Sequence, residues 1–236
     1  MERTKTEQSQ NLDEIFKEIE DEMYRKKLNE STSMRSKTID LIITTLYEKN
    51  DREMSHSKRV SYLCATLAKV MKFDVDSVKQ METAGLMHDI GKIGIEESII
   101  NKPNKLNEDE WDKVKRHSEI GYRILSSVNE FSEIAEYILQ HHERYDGKGY
   151  PKGLSGEEIS LQARIICIVD AYDAMTCSRP YKKSLTNEEA ISELEKHAGT
   201  QFDPVIAKLF IEEIASNEKH NKKFILNKME PIKETL

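Results

Sequence analysis

The chain has 236 residues, and 36 Lys plus Arg stand against 43 Asp plus Glu for a net charge of −7. That balance excludes a duplex nucleic-acid binder that relies on general basicity. Nine glycines and five prolines are few for an all-β sandwich, and no apolar run approaches the roughly 20 residues of a membrane span. The opening MERTKTEQSQ has no apolar stretch of the kind found in a secretory leader. Cys64, Cys167 and Cys177 show neither a CxxC spacing nor an even count, and read as reduced thiols of a cytoplasmic protein.

In chain order, residues 1 to about 35 are highly charged, with Leu12, Ile15, Ile19 and Met23 at helical spacing. This amphipathic helix is either a solvated tail or a coiled-coil linker and homodimer helix. A second helix is predicted over Ser36 to Lys49, with Ile39, Ile42, Ile43 and Leu46 inward. Residues 1–49 are thus read as a helical linker, residues 50–216 as the core domain and residues 217–236 as a lysine-rich tail. Within the core, His56, Val60, Leu63, Leu67 and Val70 form one helical stripe. Val78, Met81, Gly85, His88 and Asp89 follow similar spacing. Asn107 with Glu110 predicts a capped helix that runs on through Val114, His117, Gly121, Ile124 and Val128. Ala135, Ile138, Leu139 and His142 mark the next helix, and Ala163, Ile166, Cys167, Asp170 and Ala174 another. Thr186 with Glu189 caps a helix expected to reach Gly199, and Val205, Leu209, Phe210 and Ile214 mark the last core helix. There is no strand series, so the fold class is all-α: a compact helical domain behind N-terminal linker helices.

Several of these stripes carry a polar, ligand-type side chain: His56, His88 with Asp89, His117, His142 beside His141, and Asp170. Burying one such group without a partner costs about 1–3 kcal/mol, and an isolated charge far more. The economical solution for five helices is convergence on shared cations, for which imidazole and carboxylate are suitable ligands. Adjacent residues on a helix point about 100° apart. The pairs His88–Asp89 and His141–His142 therefore suggest two ions bridged by a carboxylate, an arrangement typical of phosphoester hydrolysis. Lys92, Arg179 and Lys182 are candidate phosphate contacts, the arginine as a fork and the lysines as point charges. Gly147, Gly149 and Pro151 break the helix after His142 and hold a loop beside the site.

Five segments carry a family resemblance: HSKRV from His56, HDIGK from His88, KRHSEIG from Lys115, HHERYDGKGYP from His141 and IVDAYDAMTCSRPYKK from Ile168. Together, over about residues 50–212, they resemble the HD-GYP branch of the HD-domain metal-dependent phosphohydrolases. The resemblance implies an HD-type helical fold and hydrolysis of cyclic di-GMP to pGpG, and in some members on to GMP. It implies metal ligands at His56, His88, Asp89, His117, His141, His142 and Asp170, with Asp89 bridging, and iron or manganese as the usual metal. It implies Asp89 and Lys92 as catalytic residues and substrate contacts at Lys92, Arg179, Lys182, Gly149, Tyr150 and Pro151. Asp173 is expected to help hold the site together. Family members with three metals carry a glutamate four residues before the first histidine; here Arg52 stands there and Glu53 follows, which favours two metals. Sensory or cyclase domains are the partners such linkers serve. A catalytically idle domain that binds nucleotide or protein is the alternative, and it would be marked by missing ligands.

Overall fold

The computed structural model describes Leu41, residues 51–177 and residues 184–216. The linker helices predicted before residue 50, the tail after residue 217, and both Arg179 and Lys182 lie outside the described residues, although Leu41 is itself helical. The described part of the core domain is helical throughout. The helices are α1 (Asp51–Val70), α2 (Val75–Met87), α3 (Glu97–Ile100), α4 (Glu108–Lys115), α5 (His117–Ser126), α6 (Ser132–Gln140), α7 (Leu161–Thr176), α8 (Asn187–Lys196) and α9 (Pro204–Phe210). A 3₁₀ turn, Ile90–Gly94, follows α2, and a π-helical segment, Ile211–Ala215, follows α9. No strand occurs among the described residues; two isolated bridges pair Asp146 with Ser155 and Ala198 with Phe202.

Side-chain oxygens that accept orphan amide N–H groups set the helix starts. Asp74 accepts from Asp76 and Ser77 ahead of α2, and Asp203 accepts from Val205 and Ile206 with Pro204 opening α9. The two predicted capping boxes, Asn107 with Glu110 and Thr186 with Glu189, are both present. Helix α7 runs through the middle of the domain, burying Ile165, Ile166, Ile168 and Val169. It packs against α1, whose Val60, Leu63, Cys64 and Leu67 are fully or almost fully buried. Each such Leu or Ile contributes about 1.5–3 kcal/mol relative to exposure. Helix α5 packs on α6 and on the 3₁₀ turn, completing the frame around the polar residues.

The helix ends differ from the periodic reading, and the differences matter for the site. His88 and Asp89 stand just past α2, and His141 and His142 just past α6. The continuous helix expected from Asn107 to Val128 is two helices, broken at Arg116. The cause is competition for carbonyls. His117 Nδ1 takes Val114 O at 2.7 Å and the Ser118 hydroxyl takes Lys115 O at 3.1 Å, oxygens that a continuous helix would offer to later amides. Helix α8 stops at Lys196, and Gly199 turns the chain with φ 80°. Val205, expected in the core, is 74% exposed, because the Asp203 cap phases α9 so that Ile206 and Phe210 face inward.

The 3₁₀ turn can seat against α5 only because Gly91 has no side chain. A Cβ there would run into the carbonyl oxygen of His117 and the amide nitrogen of Gly121. Gly91→Ala is expected to lower the unfolding free energy by about 1–3 kcal/mol, read by urea denaturation with circular dichroism. A wild-type midpoint would show that this contact relaxes without strain.

Candidate metal centre

The polar residues singled out from the sequence meet at one place. Helix α1 brings His56, the junction after α2 brings His88 and Asp89, α5 opens with His117, the end of α6 brings His141 and His142, and α7 brings Asp170. Two groups form, His56–His88–Asp170 and His117–His141–His142, and within each the offered ligand atoms lie within 4.8 Å of one another. Asp89 faces both groups. Its Oδ2 lies 3.2 Å from His88 Nε2, and its Oδ1 lies 3.5 Å from His117 Nε2. The arrangement departs from the helical argument in one respect: His141 and His142 serve the same group. Beyond the end of α6 they no longer sit 100° apart on a helix, and their ring centroids are 3.9 Å apart.

The imidazoles are oriented by what their outer nitrogens bind. His88 Nδ1 donates to Gly85 O at 2.9 Å, His117 Nδ1 to Val114 O at 2.7 Å and His141 Nδ1 to Ile138 O at 2.6 Å. His56 Nδ1 donates to Asp173 Oδ2 at 2.7 Å, and Arg59 clamps Asp173 through two hydrogen bonds of 2.6 and 2.9 Å. Carbonyl and carboxylate oxygens only accept, so each Nδ1 is a donor and Nε2 is the free position of the neutral ring. His117 and His141 therefore turn Nε2 lone pairs toward each other at 3.4 Å. Two bare lone pairs repel at that distance, and a cation between them removes the conflict. Donors of this kind, tied from behind by oxygens, fit a divalent metal.

The electrostatics divide along the same line. Burial first, then the neighbouring imidazoles, push His141 well below the usual histidine range and His142 down to about 3. His117 is lowered too, mainly by burial. These three rings are neutral near pH 7, the form that binds metal. Burial also opposes charge on His56, but its hydrogen bonds to Asp170 and Asp173 outweigh that and raise it to about 10. Asp89 is driven upward by burial, yet the charges of Lys92 and His88 hold it well below the ordinary carboxylate range. His88 is opposed by burial too, but the charge of Asp89 raises it, so three neutral imidazoles at one group face carboxylates and carboxylate-stabilised imidazoles at the other.

A cavity of about 620 Å³ opens on these donors, lined by His56, Asp89, Lys92, His117, His142 and Asp170 among others. Lys92 places its ammonium 2.6 Å from Asp89 Oδ2 and 2.8 Å from Glu53 Oε2. Glu53, read as out of register, lies one turn before His56 on α1 and lines the same cavity. Of the three loop residues, Tyr150 lines the cavity and stacks on His142 with centroids 4.9 Å apart. Gly149 instead packs on the backbone of Glu143 and Arg144, and Pro151 lines a separate surface depression with Arg116 and Tyr122. Glu143 holds this loop by accepting the backbone N–H groups of Lys152, Gly153 and Leu154. Sequence reasoning missed Arg59, whose signal is its place one turn after His56, and Trp111, which also lines the cavity.

These features define a helical protein built around two neighbouring groups of histidine and aspartate that could each hold a metal ion. The chain belongs to the HD domain family, whose model matches residues 40–206. Metal dependence is common to HD-domain phosphohydrolases, in keeping with the donor set. The chain is 38% identical to the cyclic di-GMP phosphodiesterase response regulator RpfG of Xanthomonas campestris, over 75% of this chain and 47% of that protein. It is 40% identical to a cyclic di-GMP phosphodiesterase of Thermotoga maritima, over 72% of this chain and 47% of that one. It therefore spans about half the length of these curated relatives. In fold it resembles the HDG"Y"P protein Bd1817 of Bdellovibrio bacteriovorus, with a TM-score of 0.57 at 21% identity, covering 68% of this chain and 51% of that one. No helix among the described residues is long and apolar enough to cross a membrane.

Two substitutions test the centre by metal content. Asp89→Ala, which removes the carboxylate facing both groups, is expected to deplete bound metal, with the helical circular dichroism unchanged. Asp173→Asn is expected to lower metal affinity by about 10–100-fold, because it loosens the ring orientation of His56. Undiminished metal in the Asp89 variant, measured by plasma mass spectrometry, would contradict the shared centre.

Proposed function

We propose that this chain is a metal-dependent phosphodiesterase that hydrolyses cyclic di-GMP to pGpG, with GMP as a slower second product. One observation carries the reading: a single buried carboxylate, Asp89, faces two separate ligand groups on the floor of an open cavity. His56, His88 and Asp170 would hold one divalent ion, His117, His141 and His142 the other, with Asp89 between them. Iron or manganese suits nitrogen and carboxylate donors without thiolate. Bound there, such ions supply Lewis acidity toward a phosphate oxygen and toward water.

The chain's own residues account for the rest. Lys92 holds a positive charge beside Asp89, where a phosphate oxygen would arrive, and exchanges its contact with Glu53 for one with substrate. Arg179 and Lys182 are proposed as further phosphate contacts. Tyr150 covers His142 and restricts water at that wall. In the reaction, water adds its oxygen to phosphorus, the bond from phosphorus to the ribose 3′ oxygen breaks, and the 3′ hydroxyl leaves with the proton. Glu53 is engaged by Lys92, which favours two ions over three. The idle-domain alternative calls for missing donors, and all seven are present. The N-terminal helices are proposed as a homodimer or signalling linker from a sensory or cyclase domain, in a cytoplasmic protein whose three cysteines are free thiols.

The protein purified with Mn²⁺, or anaerobically with Fe²⁺, is expected to convert cyclic di-GMP to pGpG, followed by chromatography. Lys92→Met is expected to reduce kcat/KM by about tenfold or more while metal content is retained. Binding of cyclic di-GMP without turnover under both metals would overturn the reading.

A further inference from the structure

The chain contains one tryptophan, Trp111. It lies on α4 and is 48% exposed, yet it lines the same cavity as Asp89, Lys92, His142 and Tyr150. It does not serve as the anchor of its own helix, because no residue of α4 is buried. Polar contacts secure that helix instead. Asn107 and Glu110 form its capping box, Lys102 reaches both Glu110 oxygens at 2.7 Å, and Lys113 reaches Glu96 at 3.0 Å. A large, half-exposed aromatic face thus borders the cavity on a helix held in place by polar contacts.

Its place beside the ligand groups is also informative. Val114, one turn further along α4, lines the cavity as well, and its carbonyl holds His117. Trp111 and the ligand residues His117, His142 and Asp170 thus border one cavity, in which a nucleotide can reach from phosphate to base. The cavity wall further carries the cations Arg52 and Lys92. Cationic side chains that track phosphates, combined with aromatic faces, make up the physical pattern of single-stranded nucleotide binding.

We infer that Trp111 is a base-binding residue: its indole stacks on a purine of the cyclic dinucleotide while the phosphodiester lies at the ligand groups. This rests on the phosphodiesterase reading above and adds to it the element that grips the base. Stacking of this kind serves ground state and transition state alike, so its loss falls on KM rather than on kcat.

Because the tryptophan is unique, its fluorescence reports on this position alone. The metal-loaded 236-residue chain is titrated with a hydrolysis-resistant phosphorothioate analogue of cyclic di-GMP. The expected result is saturable quenching. In parallel, Trp111→Ala is expected to raise KM for cyclic di-GMP about tenfold with kcat nearly unchanged, and Trp111→Phe to restore most of the loss. Circular dichroism checks that both variants keep the wild-type fold. Wild-type turnover without any quenching would overturn the assignment of Trp111 and leave the phosphodiesterase reading intact. A Phe variant as impaired as the Ala variant would overturn it too, since the aromatic face would then be irrelevant. Saturable quenching without turnover would support Trp111 as the base platform and overturn the enzyme reading instead.

Discussion

The centre depends on one recurring hydrogen bond. At the ends of α2, α4 and α6, a histidine donates Nδ1–H to the carbonyl three residues behind it: His88 to Gly85, His117 to Val114, His141 to Ile138. Each bond does two things. It gives a carbonyl in the last turn of a helix a side-chain donor, which the negative end of the helix favours. It also fixes the ring so that Nε2 points into the shared space. Secondary structure and site are therefore set by the same atoms. A helix that ran one turn further would lose its imidazole to a different direction.

His56 is the exception that shows the rule's limits. It lies in the middle of α1, where no carbonyl is spare, so a side chain has to do the orienting. Asp173 fills that role from α7, and Arg59 neutralises it one turn along from His56. The result is a buried chain of arginine, aspartate and histidine leading to the centre. Such a chain requires all of its members, because an unpartnered buried charge is far more costly than a paired one. Around this polar interior, α1 and α7 provide the apolar scaffold, and the close approach at Gly91 locks the turn bearing Asp89 and Lys92 against the start of α5.

Much of this was legible in the sequence. The stripes of α1 and α7 place Leu63, Leu67 and Ile166 in the core as expected, and both capping boxes occur at the predicted residues. The HD-GYP resemblance agrees with membership of the HD domain family. Helix ends were not legible. The reading carried His117 inside one long helix and spaced His141 from His142 by a helical angle, because apolar periodicity does not register a carbonyl taken by a side chain. Counting along the chain placed Glu53 out of register with a position four residues before His56; three residues also share a helix face, and Glu53 lines the cavity bonded to Lys92. Trp111 gave no periodic signal at all, since its helix buries nothing.

Composition and periodicity alone determined that the protein is helical and that histidines and aspartates from distant helices share an interior. Both follow from local rules, the 3.6-residue repeat and the penalty on lone buried polar groups. How those side chains divide into two groups, and that Asp89 stands between them, only the tertiary structure decided. The division depends on where each helix stops and on which face of α7 meets α1, and both are settled by contacts between residues far apart in the chain.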